Sequence, residues 1–142
     1  MTSEEVRNIV KKLFPSIEVA VWLTDPDWSA PSLTEATNLL VDVTKSIPDT
    51  YFGLYECEDR AISIMGNVRS RRATQAHQGL IPNEKRKNWP LGIAMGQKFD
   101  GEQGLHVVNV FISDGKMYFF DSQTQKIREA DKHEDRIFFI LM

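Results

Sequence analysis

The chain has 142 residues, 42% of them hydrophobic, with a formal net charge of -3 and a single cysteine. That length suffices for one domain with its own core, without disulfide or metal staples, and the negative balance lacks the basic footprint of a dedicated nucleic-acid binder. A lone thiol cannot close an internal disulfide, which fits a reducing, cytoplasmic setting.

The opening MTSEEVRNIVKKLF is amphipathic and lacks the apolar core of a signal peptide. No apolar run reaches the ~18 residues that span a bilayer, so no membrane association is expected. Ser3 is placed to cap a first helix, with Glu4 and Glu5 in its first turn and Val6, Ile9, Val10 and Leu13 at helical spacing until Pro15. Residues 18 to 23, EVAVWL, have the β-branched and aromatic content of a strand, and TDPDWSAPS is turn material. Ser32 with Glu35 forms a capping box before a second helix, whose apolar face is Leu33, Ala36, Leu39, Leu40 and Val43.

A third helix begins near Cys57, where Cys57, Ala61, Met65 and Val68 fall on one inward stripe and Glu58, Arg60 and Arg69 fall elsewhere. Periodicity is lost over residues 69 to 90. That stretch carries Arg69, Arg71, Arg72, Lys85, Arg86 and Lys87 and reads as a solvated loop or partly helical excursion, a phosphate or acidic-substrate site being the rarer alternative. From Leu91 the chain turns to strands: LGIAMG, HVVNVFI, KMYFFD and, at the end, IFFILM. Asp114 and Gly115 in SDGK are a two-residue hairpin signal. Helices first and an antiparallel sheet afterwards give a single α+β domain over 1–142, with N-terminal helices packed on a C-terminal antiparallel sheet.

The stretch YECEDRA puts the thiol among Glu56, Glu58 and Asp59 at a helix head. Those acids repel a thiolate, while a helix N-terminus and a nearby imidazolium stabilise one, so a lowered thiol pKa is the expectation if the residue is a nucleophile. A nucleophilic cysteine needs a base, and the base an orienting partner. With Asp114 and Gly115 central in the hairpin, Ser113 pairs with Lys116, Val108 lies opposite Asp121, and His106 opposite Gln123. His106, Val108, Asp121 and Gln123 then share one face, and His106 and Asp121 are diagonal neighbours roughly 7–8 Å apart at Cβ. Asn109 points to the other face, and only a one-residue slip would make it the partner of His106. Each residue also has an inert reading: Cys57 as core filler, His106 as a structural residue, Asp121 as a strand end. His77 and His133 read as surface residues.

In order along the chain, YECEDRA, PLGIAMG, LHVVNVFI and YFFDSQT resemble motifs of the papain-like peptidase domain at the C-terminus of the Marasmius oreades agglutinin and of its bacterial and phage relatives. Those relatives typically show Cys-Asp-Asp-Phe-Ala, Gly-Ile-x-x-Gly, His-Ala-x-Asn and Phe-x-Glu-Pro-Gln-Thr, and the similarity spans roughly residues 20 to 126. The resemblance implies a papain-like fold with Cys57 as nucleophile, His106 as base and Asp121 as the orienting acid, with Asp59 and Gln123 matching the second acid and the glutamine of the motifs. Departures are Glu58 for Asp, Arg60 for an aromatic, and Asp121 with Ser122 for Glu and Pro. No glutamine closely precedes Cys57 to act as an oxyanion donor, so backbone N–H groups at the helix start would supply that stabilisation.

The implied activity is that of a cysteine hydrolase, foremost a peptidase, acting on a peptide or protein through a thioester. Water on a glutamine side chain (deamidase) or an amine (transglutaminase-type transfer) remains open for the second step. So does a catalytically inactive module that keeps the fold for binding. The resemblance also implies calcium dependence, with Glu58 and Asp59 as candidate ligands and the Asp25 and Asp27 loop as a further source of oxygens. Without a cation these acids simply favour the positive end of the helix.

Overall fold

Caps decide where the helices start. The computed structural model describes residues 1–15 and 18–142. In helix α1, Ser3–Leu13, the cap is Thr2 rather than Ser3: the Thr2 hydroxyl accepts from the Glu5 N–H, and the Glu5 carboxylate accepts from the Thr2 N–H at 2.6 Å. The three-residue spacing of a capping box selects Thr2 over Ser3. Ser3 instead donates to the Asp25 carbonyl at 2.6 Å. Helix α2, Leu33–Thr44, begins at the expected Ser32 and Glu35 box and buries Ala36, Leu40, Val43 and Thr44, leaving Leu33 exposed.

Helix α3, Cys57–His77, is longer than its apolar stripe. The expected loss of helix at residue 69 does not occur, because the polar second half is held from outside: Arg71 pairs with Asp42 of α2, and the Arg72 guanidinium lies 4.5 Å over the Trp89 ring. A single turn of 3-10 helix, Asn83–Lys85, follows. Among the described residues no helix is long and apolar enough to cross a membrane.

Six strands form one sheet: β1 Ala20–Trp22, β2 Leu91–Phe99, β3 Glu102–Ser113, β4 Lys116–Asp121, β5 Lys126–Glu129 and β6 Arg136–Leu141, in the order β1-β6-β2-β3-β4-β5. The short polar strand β5 was not anticipated; it sits at an edge, where charged side chains are tolerated. Nor is the sheet wholly antiparallel. The N-terminal β1 pairs with β6 in parallel, Ala20 facing Phe139 and Trp22 facing Leu141, so the sheet is mixed. The Asp114 and Gly115 hairpin forms as expected, both residues at positive φ (49° and 72°), and Ser113 pairs with Lys116. That combination is the type I′ turn whose twist suits a tight hairpin.

Side chains alternate across the strands, so the sheet has two apolar faces. One face, with Leu91, Phe111 and Phe120, packs on α2 and α3 through Leu40, Val43, Ile64 and Val68. The opposite face, with Ala94, Val108, Val110, Ile112 and Phe119, packs on α1 through Val6 and Val10. Gly92 is required where β2 meets the end of β6, since a Cβ there would lie 1.7 Å from the Leu141 carbonyl oxygen. Three helices on a six-stranded mixed sheet make the α+β arrangement expected from the sequence.

Candidate active site

Cys57 is the first residue of α3, and Glu56 is its N-cap. The Asp59 carboxylate accepts from the Glu56 N–H at 3.1 Å, and Glu56 accepts from the Gly53 N–H at 3.2 Å, so two of the three acids of YECEDRA hold the helix start. The third, Glu58, accepts from the thiol, with Sγ 3.4 Å from Oε2. Burial pushes the Cys57 thiol above its ordinary pKa; a hydrogen bond from the Val107 N–H offsets part of this, and Glu58 adds to the rise as both acceptor and like charge. The direction is opposite to that expected of an activated nucleophile, first because the thiol is partly buried and second because a carboxylate rather than an imidazolium is the polar side chain on the sulfur.

His106 lies near the start of the buried part of β3, paired with Gly96 of β2 and half-buried. Its ring packs edge-on against Phe99 with centroids 6.1 Å apart, and Phe99 belongs to the core on the α1 side. Cys57 packs on the other side of the sheet, with Ala61, Ile93 and Val107. Among the described residues no hydrogen bond joins His106 to Cys57 or to Asp121. His106 nonetheless lines two cavities, one on each side. The first, of about 620 Å³, holds Cys57, Glu58, Thr50, Phe52, Leu105 and Gln123. The second, of about 220 Å³, holds Asp121, Val108, Phe99 and Glu102.

Strand register carries Asp121 to the face of Val108, as expected: Asn109 pairs with Phe120, one residue short of it. The Asp121 Oδ1 accepts from the Gln123 N–H at 2.9 Å and so closes the turn that leaves β4. That turn ends the ladder before His106 and Gln123 can pair as strand residues. Gln123 borders the Cys57 cleft instead, donating to the Thr50 hydroxyl at 3.4 Å. Asn109 is on the opposite face from Asp121, as expected, and 1% exposed; it donates to the Ala61 carbonyl at 2.9 Å and the Gly92 carbonyl at 3.1 Å, so it pins α3 to the sheet and faces no imidazole. His77 and His133 are exposed.

One residue of the site was assigned to the wrong side. Arg60, read as lying off the inward stripe, is 4% exposed. Its Nε donates to the Ser122 hydroxyl at 2.8 Å, Nη2 reaches the Ser122 carbonyl at 3.5 Å, and Nη1 donates to the Pro48 carbonyl. It joins the Cys57 helix to the turn after Asp121 and to the segment that leads to Thr50 and Phe52. The available signal was its place in YECEDRA, where the motif that this stretch resembles has an aromatic, the mark of a covered position.

The acids expected to offer oxygens to calcium each have a partner within the protein. Asp59 caps the helix, Glu58 meets the thiol, Asp25 accepts from Thr24 and Asn88, and Asp27 pairs with Lys87. Among the described residues no group of three or more His, Cys, Asp or Glu side chains is placed to hold an ion.

No protein-family model and no curated protein matches the chain. A solved structure does. The whole chain superposes on 50% of the length of a chain described as a "PSL1a-E64 complex", with a TM-score of 0.70 and 15% identity. The two share a fold. It is the α+β arrangement found above, consistent with the papain-like fold that the motifs imply.

Proposed function

We propose that this chain is a papain-like cysteine hydrolase, of the kind its motifs resemble, that cleaves an amide of a peptide or protein through a thioester on Cys57. The observation that carries the reading is the position of Cys57: first residue of a long helix packed on the sheet, its sulfur in an open cleft that His106 and Gln123 also line. E64 is a cysteine-protease inhibitor, and its presence in the structure that shares this fold supports the same reading.

In this mechanism the Cys57 thiol loses its proton to His106, and the sulfur attacks the carbonyl carbon. N–H groups at the start of α3, which have no intrahelical partner, stabilise the oxyanion. His106 returns the proton to the leaving amine, and water then opens the thioester. Asp121, which lines a cavity with His106 on the other side of the sheet, is the acid that the motifs offer to orient the imidazole. The geometry described above is the resting form: the thiol protonated against Glu58, the imidazole packed on Phe99. Catalysis requires the His106 ring to turn about the strand end into the cleft it already borders.

A non-catalytic binding module is the second reading, favoured by the raised thiol pKa and by the packing of Cys57 and His106 on opposite faces. Incubation with a peptide mixture containing glutamine, followed by mass spectrometry, separates the possibilities. Cleaved peptides absent with Cys57→Ala support the hydrolase. Deamidated or amine-linked glutamine identifies a different acyl acceptor, and no product overturns catalysis.

A further inference from the structure

Away from the Cys57 cleft, the second half of α3 and the segment before β2 enclose a cavity of about 370 Å³. Its walls carry Arg69 and Arg72 from the helix and Arg86 and Lys87 from the following segment, against Asp25 and Asp27, an excess of two positive charges in a chain whose net charge is -3. The two carboxylates are already engaged. Asp27 pairs with Lys87 at 3.0 Å, and Asp25 accepts from Thr24 and from Asn88. Among the described residues, Arg69, Arg72 and Arg86 have no carboxylate within ion-pair distance.

The Nε–H groups of Arg69 and Arg72 are both buried and lack an acceptor in the protein, although other nitrogens of the same side chains are bonded: Arg69 to Thr24, Arg72 to the Lys85 and Lys87 carbonyls. Each guanidinium is thus only partly bonded within the protein, which leaves cationic N–H donors for a ligand in the cavity its side chain lines. Guanidinium groups suit oxyanions because their planar fork matches the oxygen spacing.

We propose that this cavity binds a compact, doubly charged oxyanion, the phosphate group of a small phosphorylated molecule. Its size lies at the small end of the range for small-molecule sites, roughly 300–1,000 Å³, and its apolar members Ala73, Ala76 and Ile81 offer a surface for the rest of such a ligand. Arg69 lies twelve residues after Cys57 on the same helix, roughly 18 Å along its axis, so the site is separate from the thiol cleft. It does not depend on the chain being a hydrolase.

The test is calorimetric titration of the full chain with inorganic phosphate at low ionic strength, alongside thermal melts in phosphate, sulfate and chloride at matched ionic strength. Saturable binding of one phosphate is expected, with a higher Tm in phosphate and sulfate than in chloride. Arg69→Gln and Arg86→Gln should each weaken binding about tenfold or more, while Arg71→Gln, on the same helix but outside the cavity, should leave it unchanged. Absence of phosphate binding by the unmodified protein overturns the proposal whatever the variants do. So does an equal effect of chloride, which would mean charge screening alone, or an equal loss with Arg71→Gln.

Discussion

Arg60 and Ser122 are joined by a 2.8 Å hydrogen bond from Nε to Oγ, which fixes the turn after Asp121 to the helix that starts at Cys57. The same guanidinium holds the Pro48 carbonyl, so both walls of the thiol cleft depend on one buried cation. Arg60→Ala strands those acceptors and should cost about 1–3 kcal/mol, the penalty of buried groups left unpaired. In urea this appears as a lower midpoint at unchanged slope. Arg60→Lys should recover little of the loss, since an ammonium cannot serve both acceptors in the guanidinium's geometry. A change under about 0.5 kcal/mol, the ordinary surface range, would contradict the clamp.

The thiol gives a prediction with a definite sign. Its pKa is raised, so iodoacetamide labelling against pH should inflect above the free-thiol value of about 8.5. By linkage, a group that holds its proton more tightly when folded contributes stability below the unfolded pKa, and that contribution is lost as pH rises through the folded pKa. Stability attributable to Cys57 should therefore fall in alkaline solution, and Cys57→Ala should flatten that part of the profile. Glu58→Gln removes the like charge and should move the inflection down. An inflection below 8.5 in the unmodified protein would show that the thiol is paired with a cation instead.

Asp121 and Asn109 should behave as different kinds of residue. Asp121→Asn retains a turn acceptor for the Gln123 N–H and should leave the melting temperature nearly unchanged while slowing turnover. In a serine-protease triad the equivalent change costs about 10⁴ in kcat, and a cysteine enzyme should lose less. Asn109→Ala removes the bonds to Ala61 and Gly92 and should destabilise by about 1–3 kcal/mol. If Asn109→Ala abolishes thiol reactivity at unchanged stability, Asn109 is the orienting partner.

Much of this arrangement was legible in the sequence because it is local. Asp114 and Gly115 set the hairpin register, and with it the placement of Asp121 and Asn109 on opposite faces. The Ser32 box and the start at Cys57 are equally local signals. What was not legible depends on distant partners. Nothing in AVW indicates that β1 pairs in parallel with β6, and the second half of α3 is polar all round, held by Asp42 and Trp89 rather than by its own pattern. Alternation grouped His106 with Asp121 but could not say which face α3 covers. Both faces of β3 are apolar, with Val107 and Phe111 on one and Val108 and Val110 on the other, and the helix lies on the first.

For calcium, the engaged carboxylates lead to a simple expectation. Asp59→Ala removes the acceptor for the Glu56 N–H and should cost about 1 kcal/mol, the usual value of a cap, to the same extent with or without calcium. A loss seen only in calcium would identify Asp59 as a ligand.

The role of Cys57 as a nucleophile served by His106 is open to test by reaction with E64 followed by intact-protein mass spectrometry. A single adduct is expected, mapped to Cys57, absent with Cys57→Ala and formed at least about 100-fold more slowly with His106→Ala, the lower range of general-base contributions. No adduct, or an adduct that forms equally fast without the imidazole, would contradict it.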